Sequence, residues 1–108
     1  MNRTVIVARI RAGAEGTVAG IFEKSDATTL PHQIGVRHRS LYRLEDVYLH
    51  VVEFREDPAT ALLRARDLPA FQQISHDLSP YIRPYDEATW RSPQDAVARE
   101  FYRWSATT

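Results

Sequence analysis

Three side chains in this sequence carry chemistry that packing alone does not require: Asp26, Arg39 and His50. A permanently charged guanidinium can stabilise an oxyanion, an imidazole can move a proton near neutral pH, and a carboxylate can fix either of them in place. Arg39 and His50 lie in "GVRHRSLYRLEDVYLHVVEF", Gly35 to Phe54, which reads as a strand, a tight turn and a second strand. With Glu45–Asp46 as the turn, Leu44 opposes Val47, Leu41 opposes His50 and Arg39 opposes Val52. Strand side chains alternate faces. One face therefore holds Gly35, Arg37, Arg39, Leu41 and Arg43 with Tyr48, His50, Val52 and Phe54. Diagonal neighbours across such a pair lie about 7–8 Å apart, so Arg39 and His50 converge. The other face, from Ile34, Val36, His38, Ser40, Tyr42 and Leu44 across to Val47, Leu49, Val51 and Glu53, is also largely apolar.

Asp26 must reach that spot from a helix. Between Ala14 and about Thr28 the apolar residues Val18, Ile21 and Phe22 fall at helical spacing, and Pro31 is expected to close the segment. The positions four residues beyond Ile21 and Phe22 are Ser25 and Asp26, which continue the inner stripe. Ahead of the helix, "TVIVARI" (Thr4–Ile10) reads as a first strand. After the hairpin, "DPATALLRARD" opens a helix with Asp57 as N-cap and Pro58 in its first turn. "LPAFQQISHDLSPYI" follows as a second helical piece with Phe71, Ile74 and Leu78 on one side. Pro80 and Pro84 then lead into a loop through Tyr85 and Trp90, and "AVAREFYRWSA" (Ala96–Ala106) reads as a last strand. The order predicts an α+β, ferredoxin-like split βαβ: one domain over 1–108, with a four-stranded antiparallel sheet and helices on one face. A second apolar sheet face has no helix to cover it, which predicts a homodimer with the sheets of two copies packed together. Arg39 and His50 then face the helices, on the floor of a pocket.

The 108 residues carry 14 basic and 14 acidic side chains. That balance argues against nucleic acid and anionic membranes as partners. There is no cysteine, and the short apolar run at the N-terminus does not read as a signal peptide, so the expected compartment is the cytoplasm. The four histidines show no metal-ligand spacing and the glycines fit no phosphate loop. Each candidate also has a plainer reading. Asp26 and Arg39 can be a structural ion pair, His50 a core histidine bonded to backbone, and Ser25 a hydroxyl turned back on its own helix end.

The run "TTLPHQIGVRHRSLYRLEDVYLHVVE" (Thr28–Glu53) resembles the centre of the tetracenomycin F2 cyclase-like family of aromatic polyketide cyclases. The likeness lies in T-x-L-P-x-x-I-G-V-x-x-R followed by D-x-Y-x-H-x-x-E, and it continues through "ARDLPAFQQISHDLSPYIRPYD" and "EFYRWSA". The resemblance implies a dimeric α+β barrel with neither metal nor organic cofactor. It implies a polyketide substrate, contact with other components of a polyketide synthase, and closure and aromatisation of a ring of a poly-β-ketone. It places catalysis on His50, Arg39 and Asp26, with Ser25, Phe22, Leu41, Val52 and Tyr48 as substrate contacts. Lys24-Ser25-Asp26 departs from the family's histidine before the aspartate, so the ring formed is open. The expected roles are an enolate-holding Arg39, a proton-shuttling His50 and an orienting Asp26. A cofactor-free oxygenase on the same architecture and a non-catalytic polyketide-binding dimer are the alternatives.

Overall fold

The hairpin forms at the expected turn. In the computed structural model, which describes residues 2–91 and 93–107, β2 (Val36–Leu44) and β3 (Val47–Phe54) pair antiparallel. Leu44 lies opposite Val47, Leu41 opposite His50 and Arg39 opposite Val52. The two faces differ from expectation at one end. A register shift between Val36 and His38 sets Val36 opposite Phe54 and His38 opposite Glu53, leaving Arg37 as the extra residue of a bulge. Ile34 and Val36, expected on the outer face, therefore pack inward with Val52 and Phe54, and Arg37 is exposed.

β1 (Asn2–Ile10) inserts beside β3, with Ile6 opposite His50 and Ala8 opposite Tyr48. The sheet order is β2-β3-β1-β4, the split βαβ arrangement expected of a ferredoxin-like α+β fold. The inward-pointing residues of β3, namely Tyr48, His50, Val52 and Phe54, are all buried. They meet two contiguous apolar clusters, one with Ala14, Val18 and Phe22 and the other with Leu30, Ile34, Ala61 and Ala65. The α-helices of the described residues thus cover the face that carries these side chains.

α1 (Glu15–Asp26) buries Val18 and Phe22, four residues apart on one stripe. It stops at Asp26 because Thr28 turns back: its hydroxyl donates to the Ser25 carbonyl at 2.6 Å and accepts from the Leu30 N–H at 3.2 Å. Pro31 does not close this helix. It sits in the first turn of a further short helix, α2 (Leu30–Ile34), where a missing N–H breaks no bond. Gly35 ends α2 at φ 87°, a left-handed conformation that glycine adopts without strain. α3 (Pro58–Ala65) begins as read, with the Asp57 carboxylate accepting from the Thr60 N–H at 3.1 Å. Fully buried Ala61 and Ala65 let it approach closely. α4 (Pro69–Leu78) turns Phe71, Ile74 and Leu78 to the core.

The expected last strand is corrected. β4 is Ile82–Pro84, three residues inside the expected loop, and it pairs with Ala8–Ile10 of β1. Further along that edge Val97 makes an isolated bridge with Ile6, and the Ala98 N–H donates to the Val5 carbonyl at 2.7 Å. Beyond Ala98 the chain has no regular structure through Thr107. Phe101, Tyr102 and Trp104 are 93%, 77% and 73% exposed. Among the described residues, the bulky alternation that reads as a strand pairs with no strand of its own chain beyond Ala98. Among the described residues no helix is long and apolar enough to cross a membrane.

Candidate active site

Asp26 is the last residue of α1, where a carboxylate is disfavoured by the helix dipole and needs a cation. Arg39 supplies it as a fork: Nε donates to Asp26 Oδ2 at 3.1 Å and Nη2 to Oδ1 at 3.0 Å. Planar bidentate pairing of this kind fixes orientation as well as charge. The third contact is Arg39 Nη1 to His50 Nε2 at 2.8 Å. A guanidinium has no acceptor, so Nε2 accepts and the imidazole carries its proton on Nδ1. Phe22 completes the clamp, with the guanidinium carbon 4.8 Å from its ring centre and the His50 ring meeting it edge-on at 5.1 Å. A cation over an aromatic face is attracted by the ring quadrupole.

The electrostatics follow from burial. Loss of water around His50, with the Arg39 charge as the second cause, pushes its pKa down to about 3. His50 is therefore neutral at physiological pH. Burial also pushes the Tyr48 phenol well up, with Arg39 pulling the other way, so it stays protonated. The Tyr48 and His50 rings lie 6.3 Å apart. The side chains of Arg39 and Asp26 are 15% and 38% exposed, so the group opens toward solvent on the Asp26 side.

Asp26, Arg39 and His50 thus meet as the residue pattern foretells. Phe22 and Tyr48 touch the same centre, and Leu41 lies across the hairpin from His50 and packs on the same cluster. Val52 stands opposite Arg39 but is fully packed in the second cluster. Ser25 is not drawn in by its hydroxyl, since only its backbone carbonyl is engaged, by Thr28. Two open clefts of about 230 and 260 Å³ lie elsewhere. One is bordered by Val7, Tyr85, Trp90 and Val97, and the other by Arg3, His38, Ser40 and Tyr42 on the outer sheet face. His38 and Ser40 touch there at 2.8 Å, a contact that the two-residue spacing on one strand face allows. Among the described residues no three His, Cys, Asp or Glu side chains gather as a metal site.

Residues 2–105 match the family described as polyketide synthesis cyclase. The chain belongs to that family. Among curated members, this polyketide cyclase is 50% identical over 108 residues to a Streptomyces coelicolor protein of uncharacterised function, covering 99% of this chain and 97% of that one. It is 42% identical over 104 residues to the polyketide synthase CurG of Streptomyces cyaneus, covering 96% and 97% of the two chains. Tetracenomycin F2 cyclase of Streptomyces glaucescens is 36% identical over 104 residues, covering 96% and 94%. The solved structure of that type-II polyketide cyclase superposes on the cyclase described here with a TM-score of 0.90, over 98% of this chain and 99% of its own.

Proposed function

We propose that this chain closes a ring of a poly-β-ketone by an aldol-type step and aromatises it by loss of water, with no cofactor and as a homodimer. One observation carries the reading. The guanidinium of Arg39 is clamped between the Asp26 carboxylate and a neutral His50, over the face of Phe22. A poly-β-ketone is reactive by itself and has many possible closures, so the protein's first task is to fix one conformer. A cation already held in place then stabilises the enolate oxygen as charge develops, with no reorganisation at the moment of reaction. Phe22, Leu41 and Tyr48 supply apolar side chains beside the clamp that suit the carbon chain, and Ser25 is one residue from Asp26 on the same helix.

The clamp also distributes the roles. The Nε2 lone pair that a shuttling His50 would use is occupied by Arg39. His50 is here a positioning residue that holds the guanidinium, and Asp26 holds it from the other side. The test is product profiling in a reconstituted aromatic polyketide pathway, with and without this protein and with and without oxygen. A new cyclised aromatic formed equally without oxygen is the expected result. A requirement for oxygen would make the protein an oxygenase, and unchanged products would leave a binding module.

The homodimer is supported by the outer sheet face. Val5, Val7, Val47, Leu49 and Val51 are half-buried there with no α-helix of the described residues above them, and Tyr42 and Leu44 are exposed. The exposed aromatic residues after Ala98 add a second apolar surface to the same chain. Leu49→Asp places an unpaired carboxylate at the centre of this face, an expensive charge to bury. It is expected to convert a dimer into a monomer by light scattering coupled to size exclusion. A monomeric wild type, or a variant of unchanged mass, would refute the face-to-face dimer.

A further inference from the structure

Tyr48 stands out once the clamp has been accounted for. It is 4% exposed, and its ring packs in the cluster of Ala8, Ile10, Val18 and Phe22. Phenylalanine would fill that space as well. The hydroxyl nevertheless makes no hydrogen bond with a side chain or backbone group of the described residues. No fully enclosed polar side-chain atom among those residues lacks a partner, so the Tyr48 hydroxyl is not sealed off completely. It stands two residues from His50 on the helix-facing side of β3, with the rings 6.3 Å apart. The neighbouring groups have no mobile proton to give. Asp26 is an acceptor paired on both oxygens, Arg39 does not deprotonate, and neutral His50, its Nε2 lone pair taken by Arg39, holds only an Nδ1 proton that is very weakly acidic.

We propose that Tyr48 is a catalytic proton donor, whose phenol protonates the carbonyl oxygen that ring closure converts to a hydroxyl. The assignment rests on the cyclase reading above. As the enol carbon bonds to the carbonyl carbon, the carbonyl π electrons move to oxygen, which takes the Tyr48 proton. The phenolate, held by the Arg39 charge, recovers the proton that the enol oxygen sheds. In the dehydration the phenol protonates the departing hydroxyl as the C–O bond breaks. The phenolate then takes the α-carbon proton, whose bonding electrons become the new C=C bond. Protons balance in both steps and no co-reactant is needed.

The test compares wild type, Tyr48→Phe, His50→Gln and His50→Leu in one reconstituted minimal aromatic polyketide synthase, scoring the rate of ring formation and the melting temperature. Tyr48→Phe is expected to lose about 10²-fold in rate, the scale of a positioned acid, while melting at or above wild type. His50→Gln, whose amide oxygen can accept from Arg39, is expected to keep at least about ten times the activity of His50→Leu. A Tyr48→Phe rate within two-fold of wild type overturns the proton donor and leaves the cyclase standing. Equal loss in both His50 variants also overturns it, because the imidazole itself would then be the acid–base group. A wild type that forms no new ring overturns the cyclase reading and the assignment together.

Discussion

Arg39→Met is expected to lower the rate of ring closure about 10²–10³-fold, the cost of removing one prepositioned donor to a developing oxyanion. Methionine keeps the apolar stem against Phe22 but ends both the fork to Asp26 and the contact to His50. Asp26, 38% exposed, rehydrates. Buried His50 is left with an unpaired acceptor, for which about 1–3 kcal/mol of stability is lost. The variant therefore melts lower yet remains folded, and the rate loss far exceeds the structural effect. Arg39→Lys does not rescue it, because a single ammonium on a flexible stem cannot meet two carboxylate oxygens and an imidazole nitrogen together. The measurement is the rate of product formation beside a thermal melt. A wild-type rate in Arg39→Met would reduce the clamp to a structural ion pair.

The second large effect is on stability against pH. Unfolded His50 takes up a proton as pH falls through about 6.5, whereas in the fold it stays neutral until about 3. Between those values the unfolded state binds more protons, so acidification favours unfolding. The stability in question is fully present above 6.5 and is lost as pH falls toward 3. The slope approaches about 1.4 kcal/mol per pH unit for one group. From pH 6.5 to 4.5 this amounts to roughly 2–3 kcal/mol at most. The groups facing His50 are Arg39, which stays charged, and Tyr48, which stays neutral in this range. Asp26 lies beyond Arg39. Denaturant unfolding at a series of pH values, wild type against His50→Gln, isolates the effect, since glutamine keeps an acceptor and cannot titrate. Parallel curves for the two proteins would show that His50 titrates as it does in water.

Most of what places the site was legible in the sequence, for local reasons. The hairpin turn and register follow from alternation on both sides of Glu45–Asp46, and Asp57-Pro58 marks a helix start by its own chemistry. Asp26 falls on the inner stripe by helical spacing. What escaped depends on competition between distant parts. The bulge at Arg37 arises because the turn fixes one end of β2 while α2 and Gly35 fix the other. β4 is three residues beside two prolines, too short for a pattern. "AVAREFYRWSA" has the composition of a strand, but pairing requires a partner, which composition does not record. Tyr48 stands in the D-x-Y-x-H run and is expected as a substrate contact, but nothing in the sequence marks its phenol as a proton donor. That its hydroxyl goes unpaired is visible only with its neighbours in place.

The bulge has a bearing on how such a chain can change. A strand keeps count in twos, and each residue is odd or even with respect to the core. From Leu44 back to His38 the count starts at the Glu45–Asp46 turn, while Val36 takes its count from Gly35, whose carbonyl is tied to the Arg55 N–H at 2.8 Å. Arg37 is the odd residue that lets two counts disagree. A residue gained or lost ahead of it is absorbed there, and Arg39 still faces His50. The same change between Arg39 and His50 reverses the parity and turns the guanidinium to the opposite side of the sheet. Length is free to drift on one side of Arg37 and fixed on the other.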